Sequence, residues 1–268
     1  MVLLWMTFAC LFCALANLVC GWLGRPAPTE AYRRLHAGMA AIFQLSIKVS
    51  GEPSRHPNTL YVANHVSYLD VFVLGSRTHG SFVAKSEVAG WPVFGKLAGI
   101  QSTLFFTRKS TRAASQVEQL ANRLQQGSMM LFPEGTSTPG GHVEPFRSSL
   151  FAAAAKRGDI EPVIQPVTVA YTHYAGNPMT QDQRDRYAWY LPMSFGPHFL
   201  AALGLPQARA QLVFHPPVTL ATFESRKACA AHCEQQVRAG LLDALDATKE
   251  TCPPAYYEFS RRWREVAP

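Results

Sequence analysis

Residues 59–70 read TLYVANHVSYLD, and this stretch decides the fold. Its first half, TLYVAN, is a near-continuous apolar run of the kind that forms a strand covered on both faces. Its second half turns polar at once and sets a histidine and an aspartate five positions apart. Chance alone gives roughly 0.2 H-x4-D pairs in a chain of this composition, so the pair means little without its surroundings. Five positions on a regular helix turn through about 500°, so His65 and Asp70 cannot share a helical face. They meet only if His65 precedes the helix and Asp70 lies in its first turns, with Ser67 as the natural cap. The helix N-terminus keeps an aspartate there ionised. Such a carboxylate fixes the imidazole tautomer and leaves the second ring nitrogen as a base. The plain alternative is that strand ends often carry polar turn residues.

Outward from this stretch the same pattern repeats. SFVAK (81–85), TLFFT (103–107), SMMLF (128–132), VIQPVTVAY (163–171) and RAQLVFH (209–215) are further strand candidates. The clearest helix is STRAASQVEQLANRLQQG (110–127), where Ser110 caps, Val117, Leu120 and Leu124 share a face, and Gly127 ends the run. Residues 224–247 read as another helix. Strand alternating with helix predicts an α/β fold with a mostly parallel central sheet flanked by helices, behind an N-terminal membrane-anchoring helical segment. Ligands gather beyond the carboxyl ends of such strands. Three segments are expected: an anchor at 1–24, an amphipathic or interfacial helical segment at 25–58, and a catalytic domain at 59–268.

The composition fits a membrane-attached protein. Charged residues are 16% of the 268, and hydrophobic residues 48%; about 25% charge is usual in a soluble domain. Residues 2–24 carry no charge and are long enough to span a bilayer. No Lys or Arg precedes them, as a cleaved signal would require, so they read as a retained anchor. The first basic residues, Arg25, Arg33 and Arg34, belong on the cytoplasmic side. In residues 29–49, Leu35, Met39, Ile42, Phe43 and Leu45 recur beside Arg33, Arg34 and Lys48. That spacing suits a helix in the membrane interface or one covering the soluble core. The net charge of +7 favours acidic partners. Scattered Lys and Arg without interleaved aromatics argue against nucleic acid. Cys10, Cys13 and Cys20 sit in the apolar segment, and Cys229, Cys233 and Cys252 show neither a zinc nor a disulfide spacing, which suits a reduced cytosolic face.

Further polar islands follow the other strand candidates. Arg108 and Lys109 form a clamp for an oxyanion or phosphate, or a solvated basic rim. Pro133, Glu134 and Gly135 make a turn whose N–H groups face a substrate oxygen, with hydroxyls from Thr136 and Ser137, or else an ordinary turn. Pro166 interrupts the fourth run. The stretch GTSTP (135–139) lacks the final glycine of a nucleophile elbow, and no phosphate loop, dinucleotide motif or H-E-x-x-H is present. The nucleophile is then a hydroxyl of the substrate.

Taken in order, NHVSYLD (64–70), GIQSTLFFTR (99–108), FPEGTS (132–137) and VIQPVTV (163–169) resemble the four blocks of the glycerolipid acyltransferases, the 1-acylglycerol-3-phosphate acyltransferases and their relatives. VAKSEVAGWPVFGKLAG (83–99) is similar to the segment between the first two. The resemblance implies that His65 is the general base, that Asp70 orients it, and that Arg108, Glu134 and Gly135 bind the acceptor's head. It also implies a thioester donor, acyl-carrier protein or coenzyme A, with no metal, no cofactor and no acyl-enzyme. The expected place is the cell inner membrane, with the catalytic domain on the cytoplasmic side. Lysophosphatidic acid, acylated to phosphatidic acid, is the expected acceptor, because Arg108, Lys109, Arg147 and Lys85 offer cations for its phosphate, and Thr136 adds a hydroxyl; lyso-ornithine lipid is the alternative. One departure points elsewhere: FRSSLF (146–151) replaces the family's F-K-x-G and is similar to text in lyso-ornithine lipid acyltransferases. A membrane-anchored lipid-binding protein is the alternative outside enzymology, and it would need neither His65 nor Asp70.

Overall fold

In the computed structural model, Thr59–Ala63 forms a strand buried along its whole length. The structure describes residues 11–12, 15–16, 18–20, 22–23, 29–91, 94–107 and 113–246. In chain order the elements are α1 (Thr29–Ile42), β1 (Leu45–Ser50), β2 (Thr59–Ala63), α2 (Leu69–Gly75), β3 (Ser81–Lys85) and α3 (Phe94–Ile100). There follow β4 (Leu104–Phe106), α4 (Ala113–Leu124), β5 (Met129–Leu131), β6 (Val163–Tyr174), β7 (Asn177–Pro178) and α5 (Gln181–Asp185). The described chain closes with α6 (Phe195–Leu203), β8 (Ala208–Phe214), β9 (Val218–Thr219) and α7 (Arg226–Asp246).

The sheet runs β1-β8-β6-β2-β5-β3-β4. From β6 to β4 every neighbouring pair is parallel. β8 is antiparallel to β6, and β1 is parallel to β8, so one edge runs in reverse. The expected α/β fold with a mostly parallel sheet is what forms. Side chains of β2 alternate between two cores, as the two-residue period demands. Tyr61 and Ala63 join α1 and α2 on one face. Leu60 and Val62 join α4 and α7 on the other.

Three expectations change. Residues 29–49 are not one helix: Gln44 adopts φ 55, and the chain turns into β1. The Gln44 carbonyl accepts from Ala208 N–H, and its side-chain amide donates to the Leu205 carbonyl, which fixes the turn beside β8. Leu35, Met39 and Phe43 are buried in the core, so α1 covers the sheet. Nor does Pro166 interrupt its strand. It lies inside β6 opposite Val62, one residue before the β8 pairing begins at Val167–Phe214. There the missing N–H leaves no partner short, and the Pro166 carbonyl accepts from His215 N–H. Finally, Ser67 is not a helix cap, as shown below. Ser110 and most of the 2–24 segment lie outside the described residues. Among the described residues no helix is long and apolar enough to cross a membrane.

Candidate active site

The register of β2 and β5 brings the first and third polar islands together. Val62 pairs with Leu131, so His65 and Glu134 each sit three residues past the same rung, at the carboxyl end of the parallel sheet. Asn64 extends the strand by one step. Its side-chain amide donates to the Val169 carbonyl and accepts from Val169 N–H, both at 2.8 Å, imitating a backbone rung against β6.

His65 then leaves the strand, and its Nδ1 lies 2.9 Å from Asp70 Oδ2. The same oxygen accepts the backbone N–H groups of Val66 at 2.7 Å and Ser67 at 2.9 Å. Asp70 thus satisfies the free donors at the start of α2 itself. This is why Ser67 is not needed as a cap: α2 has Tyr68 at its N-cap position, whose side chain makes no capping bond, and Ser67 Oγ is buried without a partner. Asp70 is fully buried, and its other oxygen, Oδ1, accepts from Tyr171 OH at 2.9 Å. Burial, and next the adjacent Asp70 charge, push the Tyr171 hydroxyl well above its ordinary range, which keeps it a neutral donor. With both oxygens occupied, the carboxylate is held in one orientation. The His65 ring stacks on Phe132, with centroids 4.0 Å apart at 17°. Its Nε2 has no partner among the described residues. The result is an oriented imidazole with one nitrogen offered outward.

Glu134 does not face outward. Its Oε1 accepts His65 N–H and its Oε2 accepts Glu144 N–H, both at 2.6 Å, and the residue is 4% exposed. Burial pushes its carboxyl well above the usual carboxylate range, while the two N–H donors pull it back. Both oxygens join loops to each other. Gly135 adopts φ 71, and a Cβ there would come within 2.5 Å of Arg147 Cζ. The exposed Arg147 guanidinium therefore lies directly on the glycine. Gly135 N–H is used to close a turn on the Phe132 carbonyl at 3.1 Å, so it is not the donor the sequence suggested. The N–H groups of Thr136 and Ser137 have no partner among the described residues. Thr138 ties this loop back, donating its N–H to the His65 carbonyl at 2.8 Å. Lys85 ends β3 at the same sheet edge. Arg108 and Lys109 lie outside the described residues.

Tyr171 and Asn64 are absent from the residues singled out by sequence, yet each had a signal. A tyrosine inside an apolar, fully buried strand needs a partner for its hydroxyl. An asparagine directly after a buried strand needs partners for its amide. A shallow cavity of about 750 Å³, lined by Arg77, Ser81, Ser128 and Met129 among others, opens where β3 and β5 begin. It belongs to the opposite edge and contains none of the His65 cluster.

The Acyltransferase family model matches residues 46–170. A lyso-ornithine lipid O-acyltransferase of Rhodobacter capsulatus is 43% identical over 219 residues, covering 81% of this chain and 76% of that protein. The chain belongs to the acyltransferase family. A Neisseria meningitidis 1-acyl-sn-glycerol-3-phosphate acyltransferase is 35% identical over 132 residues, covering 48% of this chain and 52% of that one. The crystal structure of the 1-acyl-sn-glycerophosphate (LPA) acyltransferase PlsC from Thermotoga maritima superposes with a TM-score of 0.61. It covers 90% of this chain and 95% of that one at 21% identity, a likeness of fold. The chain is thus an acyltransferase whose family segment begins in β1 and ends within β6, taking in His65, Asp70, Glu134 and Gly135 and stopping one residue short of Tyr171.

Proposed function

We propose that this acyltransferase moves an acyl group from a thioester donor to the free hydroxyl of a lyso-ornithine lipid. The observation that carries the chemistry is the His65–Asp70 pair, with Nδ1 tied to a buried carboxylate and Nε2 without a partner among the described residues. In this reading Nε2 takes the proton of the acceptor hydroxyl as its oxygen attacks the thioester carbonyl. Collapse of the tetrahedral intermediate breaks the carbon–sulfur bond, and the imidazolium returns the proton to the departing thiolate. General-base assistance of this kind supplies about 10²–10⁴-fold, and positioning must supply the rest. Acyl-carrier protein or coenzyme A is the donor, each acidic enough to suit a chain of net charge +7.

The ornithine acceptor is favoured by the extent of likeness. Three relatives named for that lipid match over 81%, 78% and 85% of the chain and a fourth over 50%, whereas four named for 1-acylglycerol-3-phosphate match over 45% to 50%. The FRSSLF departure points the same way. Lysophosphatidic acid is the second reading, supported by Arg147 lying on Gly135 at the site's rim. The anchor and the cytoplasmic side belong to the proposal too. Leu11, Phe12, Leu15, Leu18, Trp22 and Leu23 present exposed apolar side chains, as a segment meant for a bilayer would. Retention on inner membranes through a high-salt wash tests this attachment. Offering the purified full chain both lyso-lipids with one thioester donor tests the acceptor. Ornithine-lipid product formed faster is the expected result; faster phosphatidic acid formation reverses the preference, and no acylation of either lipid overturns the reading.

A further inference from the structure

The 22 residues from 187 to 208, YAWYLPMSFGPHFLAALGLPQA, contain no Lys, Arg, Asp or Glu, and Arg186 and Arg209 bound them. Part of this excursion folds inward: Tyr187, Ala188 and Ala202 are buried. On α6, Phe195, His198 and Phe199 turn toward the protein, with Phe199 5.3 Å from Phe43 between ring centroids. The other face of α6 is Gly196, Pro197, Leu200 and Ala201, all exposed and all apolar. Leu200 is 70% exposed, and Leu191 in the preceding loop is 55% exposed. Apolar residues at the tip, half-buried Trp189 and Tyr190 behind them, and arginines at the base repeat the polarity profile of a membrane interface.

The same excursion is bonded to both loops of the site. Trp189 N–H donates to the Val66 carbonyl at 3.0 Å, and Ser137 Oγ donates to the Trp189 carbonyl. Tyr68 OH lies 3.2 Å from His198 Nδ1, and Phe195 stacks on Trp91 with centroids 4.0 Å apart. The exposed apolar face of α6 spans little more than one turn, far less than the ~800 Å² per partner buried in a standard protein interface. A bilayer asks for no such area.

We infer that residues 187–205 are a bilayer-inserted lobe, whose tip at Leu191 and Leu200 enters the acyl region of the leaflet and seats the His65 site at the lipid surface. This rests on the proposed function in one respect, that the acceptor is a lipid. The lobe is a second membrane contact, separate from residues 2–24.

A photoreactive benzoylphenylalanine placed at position 200 of the full chain, in native membranes, identifies the occupant without any need for activity. Lipid adducts enriched several-fold over those from position 227 on α7 are expected. A cross-link to a second copy or to another protein, or no enrichment, overturns the inference. The double variant Leu191→Glu with Leu200→Glu gives the functional side. Transfer to an acceptor embedded in vesicles should fall about tenfold, while transfer to the same acceptor in detergent stays within about twofold. An equal loss in both settings, or no loss in vesicles, also overturns it.

Discussion

The backbone N–H of His65 donates to Glu134 Oε1 at 2.6 Å, and the other oxygen of that carboxylate accepts Glu144 N–H at the same distance. Glu134 therefore holds the histidine loop against the loop that carries Arg147, and has no oxygen to spare for an acceptor's head. Glu134→Ala should lower kcat about 100-fold by letting His65 drift, with the acceptor's KM changed less than about threefold. Steady-state kinetics on the folded variant separate the two parameters. A raised KM at unchanged kcat would mean that the carboxylate contacts the head group after all.

His65→Ala should remove about 10²–10⁴ of the rate and leave the melting temperature close to that of the parent. Asp70→Asn differs, because Oδ2 receives three donors, His65 Nδ1 and the N–H groups of Val66 and Ser67. Activity and stability should fall together there. Tyr171→Phe deprives Oδ1 of its donor and should cost about 1–3 kcal/mol of stability, with much of the rate retained. Parallel denaturation and turnover measurements on the three variants check this order. Full activity in the His65 variant refutes the base assignment.

Gly135→Ala joins two penalties at one position. The backbone sits at φ 71, where a Cβ is strained, and the added methyl would meet the Arg147 guanidinium at 2.5 Å. The arginine must swing aside, so the acceptor's KM should rise more than kcat falls. Arg147→Ala combined with Gly135→Ala should then add little further loss in KM. Independent, additive effects would show that Arg147 does not act through its place on the glycine.

The strands were legible because β2 to β6 and β8 are apolar runs bounded by polar turns, and the H-x4-D spacing allowed only one geometry for His65 and Asp70. β1 was missed although Leu45, Ile47 and Val49 alternate with Ser46, Lys48 and Ser50. The helical stripe ending at Phe43 ran straight into Leu45, and nothing local announced the left-handed turn at Gln44 that Leu205 and Ala208 hold in place. The inward aim of Glu134 was illegible for a related reason. A carboxylate after a strand suits a ligand and a backbone donor equally well, and only the β2–β5 register shows which N–H groups lie beside it.

His36 gives the pH dependence. Its ring is buried between α1 and α2 against Gly75, where a Cβ would collide with the imidazole, and its Nε2 lies 3.0 Å from Gln101 Oε1. Its Nδ1 is buried without a partner, so the neutral tautomer with the proton on Nε2 is the one the site accepts. Burial lowers its pKa from 6.5 to about 4, with the Gln101 bond opposing. A depressed pKa means that the unfolded chain binds the proton first. The stability contributed by neutral His36 is fully present above pH 6.5 and is lost as pH falls toward 4. At 1.36 kcal/mol per unit the whole loss is about 3 kcal/mol, most of it already felt at pH 4.5. His36→Asn keeps a donor for Gln101 and cannot titrate. That variant should start less stable at pH 7 and lose about 2 to 3 kcal/mol less than the parent between pH 7 and 4.5. Urea unfolding at the two pH values measures both differences, and equal losses would place the acid sensitivity elsewhere.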